Sequence, residues 1–130
     1  MHREARQNRS YAPWLTAILT VLIAMPACAS EPLPLASGEY RFRHRFYEHP
    51  SIPSIDVTAK IVGRRIAILN PSSGPVFPSG TLAEGTLMWH AASKQWIIGR
   101  SDADARAEEV GGCSDGPEVV DLERRIYWTC

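Results

Sequence analysis

Cysteine is scarce in this chain: there are three in 130 residues, and none forms a Cys-x-x-Cys pair. That spacing is what a thioredoxin-like redox centre or a zinc knuckle needs, so neither is indicated. Net charge is absent as well, with 14 basic and 14 acidic side chains. No apolar run reaches the ~20 residues required to span a bilayer. No segment keeps a long helical period, which argues against a helical bundle. A phosphate loop, a dinucleotide fingerprint and an obvious pair of catalytic carboxylates are also missing. No histidine lies after His90.

What is present begins with an address. Arg3, Arg6 and Arg9 make a positive start, 14–24 (WLTAILTVLIA) is a short apolar core, and Ala27-Cys28-Ala29 supplies the small-x-small pattern before Ser30. Together these read as a secretory signal peptide, residues 1–29, cleaved after Ala29. Lipoprotein processing competes, because Met25-Pro26-Ala27-Cys28 puts a cysteine after a small residue, where Cys28 would carry a diacylglyceryl anchor. The expected location is periplasmic or secreted, with a membrane-anchored lipoprotein as the alternative. Loss of Arg3, Arg6, Arg9 and Glu4 leaves 11 basic against 13 acidic residues, a slightly acidic mature domain.

In an oxidising compartment the two remaining cysteines are expected to pair. A Cys113–Cys130 disulfide would close a loop of about 17 residues, for which loop-closure entropy contributes about 3 kcal/mol. Covalent help of this kind suits a domain too small to bury a large core.

Residues 30–37 read as a short linker and 38–130 as a single all-β domain. Strands are expected at 40–47, 55–62, 65–70, 81–90, 95–100, 118–122 and 125–129, separated by Gly, Pro and Ser punctuation. The fold class is a small antiparallel meander of about seven strands, barrel or sandwich. Hairpin registers follow from matching apolar faces. A glycine-first turn at Gly63-Arg64 sets Ile61 opposite Ile66 and Ala59 opposite Ile68. A turn through 91–94 sets Trp89 opposite Trp96, Leu87 opposite Ile98 and Met88 opposite Ile97. This second hairpin is apolar on both faces, so it is either internal or leaves one face for a partner. A turn at Glu123-Arg124 sets Tyr127 opposite Val120 and brings Cys130 close to Cys113. Segment 101–110 reads as one or two helical turns capped by Ser101 or Asp102.

The stretch GEYRFRHRFYEHP (38–50) packs three arginines, two histidines and four aromatics into thirteen positions. Strand alternation accounts for it: Arg41, Arg43 and Arg45 share one face, and Tyr40, Phe42, His44 and Phe46 share the other. Nucleic-acid binding is not expected, since the mature domain is acidic and its aromatics lie opposite the arginines. The arginine face reads as solvated, as paired with acids such as Asp121 and Glu123, or as a seat for an anionic partner through Arg forks. His44, His49 and His90 have no spacing that forces a metal site, and His44 reads as a satisfied interior histidine. The Asp102-x-Asp104 and Glu108 set lacks the glycine turn of a calcium loop. Gly112-Cys113-Ser114-Asp115-Gly116 matches Gly-x-Ser-x-Gly in letters only, because the strand, turn and helix that motif requires are not there.

These readings point to an exported cell-envelope protein, most simply a protein-binding module of the inhibitor or immunity type. In compartment, size and disulfide it is similar in kind to the small envelope proteins of bacteria that bind and inhibit lysozymes or neutralise toxins, a likeness of class and not of motif. The partner would be another envelope protein, touched through Arg41, Arg43, Arg45, His49 and Phe77 and the loops 49–54 and 71–80. The alternative is a carrier of a small apolar ligand, its barrel interior lined by Trp89, Trp96, Phe42 and Ile68. An enzyme with residues united only by folding comes third. No cofactor, metal or nucleic acid is expected, and the membrane enters only through a lipid on Cys28.

Overall fold

The computed structural model describes residues 31–130. The expected leader and cleavage site and Cys28 lie outside the described residues. Seven strands follow in order: β1 (Gly38–Phe46), β2 (Asp56–Val62), β3 (Arg65–Asn70), β4 (Gly80–His90), β5 (Gln95–Gly99), β6 (Glu118–Asp121) and β7 (Ile126–Thr129). Each pairs with the next in an antiparallel meander, and β1 meets β7 to close a barrel. An up-and-down meander with an odd number of strands brings its first and last strands together pointing the same way. The closing pair is accordingly parallel, with Arg43 opposite Ile126 and Phe46 opposite Thr129. Closure leaves no sheet with two open edges, which settles barrel against sandwich.

The registers inferred from apolar matching are those observed: Ile61 with Ile66, Leu87 with Ile98, Trp89 with Trp96, and Val120 with Tyr127. Gly63 takes φ 59°, which suits its place first in the β2–β3 turn. The last hairpin differs in its loop. Four residues, 122–125, connect β6 to β7 because the Asp121 carboxylate accepts hydrogen bonds from the backbone N–H of Glu123 (3.1 Å) and Arg124 (2.8 Å), and Arg125 turns back at φ 57°. A shift in β3–β4 register between Ile68 and Leu69 inserts one extra residue in β4 and helps the sheet to curl.

The inward faces supply one packed core, including Phe42, Ile61, Ile68, Leu87, Val120, Leu122 and Tyr127. Its two ends are closed differently. At the end holding the β2–β3 turn, the segment expected as a linker is laid against the barrel. Leu33 and Leu35 pack on the core, the Ser37 hydroxyl accepts the Gly63 N–H (2.8 Å), and Tyr40 Oη donates to the Ala36 carbonyl (2.7 Å). At the other end the ring of Phe77 sits against His44, centroids 4.7 Å apart, and stacks on Phe46 at 6.2 Å.

The face of β4 and β5 that pointed to a partner is covered by the chain itself. The connection 100–117 crosses it, so that Ile97 is fully buried outside the barrel core and Gly111 approaches Val119 closely. Its first part is a 3-10 turn, Asp102–Arg106, where Asp104 accepts from the backbone N–H of Arg100 (2.7 Å) and Ser101 (3.2 Å). Further on it is pinned by His90, whose Nε2 donates to the Ala107 carbonyl (2.7 Å) while Nδ1 accepts from the backbone N–H of Ser93 (3.3 Å). Those two partners set Nε2 as the donor and Nδ1 as the acceptor. The Cys113–Cys130 disulfide then ties the connection to the end of β7.

Candidate functional site

Two loops at the Phe77 end of the barrel are anchored by hydrogen bonds, and loops held on a scaffold are where binding surfaces are built. Loop 71–79 hangs on Asn70, which is buried at the end of β3. Its amide Nδ2 donates to the carbonyls of Phe77 (3.3 Å) and Pro78 (2.9 Å), and its Oδ1 accepts the Ser72 N–H (3.3 Å). Loop 47–55 is tied down by backbone bonds from His49 to Phe46 (3.2 Å) and from Ile52 to His49 (3.1 Å). His44 joins its far side, with Nδ1 2.6 Å from Ser54 Oγ and Nε2 2.8 Å from Thr129 Oγ1.

From these anchored loops large apolar side chains face water. Tyr47 is 61% exposed, Ile52 49% and Val76 68%. Among the described residues they are three of the four exposed large hydrophobics; the fourth, Val62, adjoins the β2–β3 turn at the opposite end. His49 is exposed beside them, whereas Phe77 is half-buried and commits its ring to the barrel end.

His44 is the interior histidine its strand position implied. It is fully buried among Phe46, Phe77 and Tyr127, and burial, followed by the charge of Arg45, lowers its pKa. Both ring nitrogens face hydroxyls, so no carboxylate completes a Ser-His-acid relay around it. Close by, Tyr127 Oη donates to Glu118 Oε2 (2.7 Å), and burial together with that carboxylate raises the phenol far above its ordinary pKa.

The arginine face of β1 points outward, as alternation requires, but its pairing differs from one of the options read from the sequence. Arg41 forms an ion pair with Asp56 on the adjacent strand, its Nε 3.1 Å from Oδ2. Asp121 is taken by Arg124 instead, at 2.7 Å. The reason is lateral register: Asp56 sits opposite Arg43 across β1–β2, one diagonal step from Arg41. Arg45 turns back to donate to the His44 carbonyl (2.8 Å), and Arg43 is exposed next to Ile126 of β7.

A second feature was not visible in the sequence. An open groove of about 1010 Å³ runs along the outside of β6 and β7, from the β4–β5 turn to Tyr47 and Pro50, with the connection 100–117 as one wall. Trp89 and Trp96 line one end, edge to face at 5.4 Å, and Trp128 lines it further along. Of the four residues expected around a ligand cavity only these first two reach the groove, while Phe42 and Ile68 are fully buried in the packed core.

The Gly-x-Ser-x-Gly letters fall inside the disulfide-closed turn, where Ser114 Oγ donates to the Gly111 carbonyl (2.7 Å). Among the described residues no three His, Cys, Asp or Glu side chains converge as metal ligands, and no helix is long and apolar enough to cross a membrane. Comparison with family models, with curated proteins and with solved structures finds no match for this chain in any of the three.

Proposed function

We propose that this domain is a protein-binding module of the bacterial cell envelope, of inhibitor or immunity type, exported by its leader and contacting its partner through the loops 47–55 and 71–79. The observation that carries the reading is the exposure of Tyr47, Ile52 and Val76 on two anchored loops at one end of the barrel. Exposed apolar side chains on a pre-ordered backbone lose little entropy on docking, which is how small inhibitors gain affinity. Arg43 and Arg45, next to this end on β1, supply a charged rim. The formed Cys113–Cys130 disulfide is compatible with an extracytoplasmic location.

The test is native mass spectrometry of the protein isolated gently from its own envelope, beside an Ile52→Ser/Val76→Ser variant shown by circular dichroism to be folded. A stoichiometric protein partner on the wild type that is lost from the variant supports the reading. A bare wild-type mass, or a partner held equally by the variant, overturns it. The denatured mass from the same sample reports the cleavage site and any lipid on Cys28.

A further inference from the structure

The groove goes beyond the loop-end reading, since it lies mainly along a different wall of the barrel and its occupancy can be tested without the loops' partner. Its length spans the barrel wall from the β4–β5 turn at one end to the β1–β2 loop at the other, which suits an extended chain more than a compact ligand. Its charge is one-sided. Glu108, Glu109 and Glu123 line it, are exposed, and form no ion pair among the described residues. Among the lining residues the basic side has Arg124, occupied by Asp121, and Lys94, against three carboxylates, while Arg64 lies over Trp96 at one end. Trp89, Trp96 and Trp128 line the groove as well, the first two at one end, where Trp96 is nearly buried.

Aromatic rings beside unpaired carboxylates attract cations twice over, through the ring quadrupole and through simple charge. A sugar chain would want a flat, free aromatic face. Here Trp96 carries the Arg64 guanidinium over its ring at 5.8 Å, and Trp89 meets it edge-on. We propose that this groove binds an extended, basic segment of a protein, with arginine or lysine side chains placed against Glu108, Glu109 and Glu123 and beside Trp128.

The experiment uses the disulfide-bonded domain and a fluorescein-labelled peptide of about six residues, one strand in length, alternating arginine with serine. Its counterpart has glutamate in place of arginine, and chitotetraose serves as a glycan probe. Fluorescence anisotropy and tryptophan emission are the readouts. The expected result is that the arginine peptide binds, the glutamate peptide does not, and added salt weakens binding. The Glu108→Gln/Glu109→Gln/Glu123→Gln variant should bind at least about tenfold more weakly, about 1.4 kcal/mol. A control with the same change in net charge outside the groove, Glu39→Gln/Glu84→Gln/Asp102→Asn, should stay within about twofold of wild type. Equal weakening by both triple variants would mean diffuse attraction only and would overturn the proposal. So would equal binding of the two peptides, or tryptophan quenching by chitotetraose with no response to arginine. None of these results bears on whether Ile52 and Val76 hold a protein partner, so the two readings fail separately.

Discussion

Replacing both cysteines, Cys113→Ser/Cys130→Ser, removes a bridge across 17 positions of sequence. Closing a loop of that length costs the unfolded chain about 3 kcal/mol of entropy, so the bridge stabilises the fold by about that much. A domain of this size has a total stability of only about 5–15 kcal/mol, which makes the bridge a large share. At roughly 4–8 °C per kcal/mol the melting temperature should fall by about 12–24 °C. The structure also says where the loss is felt. The bridge joins the end of β7 to the last part of the connection that buries Ile97, where Gly111 N–H also donates to the Pro117 carbonyl (2.8 Å). Below its lowered melting point the variant should therefore keep the native near-ultraviolet signature of Trp89 and Trp96, because the effect lies mostly in the unfolded state. Thermal unfolding followed by circular dichroism, with and without reductant, is the assay. Reduction should reproduce the shift in the wild type and leave the double variant unchanged. A shift below about 4 °C, or an equal response of both proteins to reductant, would refute the entropic account.

Two further perturbations address the core and its titrating group. A Cβ at Gly85 would fall against the carbonyl oxygen of Gly99 across the β4–β5 pair and 2.9 Å from Ile98 Cγ2, so Gly85→Ala should destabilise by about 2–3 kcal/mol in urea unfolding, while Gly38→Ala, in open contact, changes stability by under about 0.5 kcal/mol; similar values for the two would contradict the packing described. His44 has a folded-state pKa below its ordinary 6.5, so the unfolded chain takes up a proton before the native one does: stability is complete above about pH 6.5 and declines as pH falls toward the lowered value. His44→Gln should flatten that part of the stability profile, and an unaltered slope in the variant would assign it to another group.

Much of this protein was legible in its sequence because two local rules were enough. Period-two alternation placed Phe42 and His44 inward and Arg41 and Arg43 outward, and each hairpin admits only one register that puts Ile61 beside Ile66 or Trp89 beside Trp96. Cysteine parity, with the chain read as exported and Cys28 set apart with its leader, pointed to the disulfide for a similar reason, since only two were left to pair. Seven strands in an odd meander even imply the parallel closure of β1 on β7, although that consequence becomes visible only once the sheet is known to close.

What the tertiary structure decided was everything that depends on neighbours distant in sequence. Which acid takes Arg41 was settled by the lateral register of β1 on β2, and the role of Asn70 by the path of the loop beyond it. His90 gave no signal of its own; it matters because 100–117 folds back across β5 and needs an anchor. That same return covers one apolar face, builds the wall of the groove, and brings Glu108 and Glu109 to the same groove as Glu123 and Trp128, residues no spacing rule connects. Strand pairing is read from short-range patterns of hydrophobicity, which one sequence contains. The packing of a long irregular connection rests on many weak contacts with the whole barrel, and those exist only after the barrel has closed.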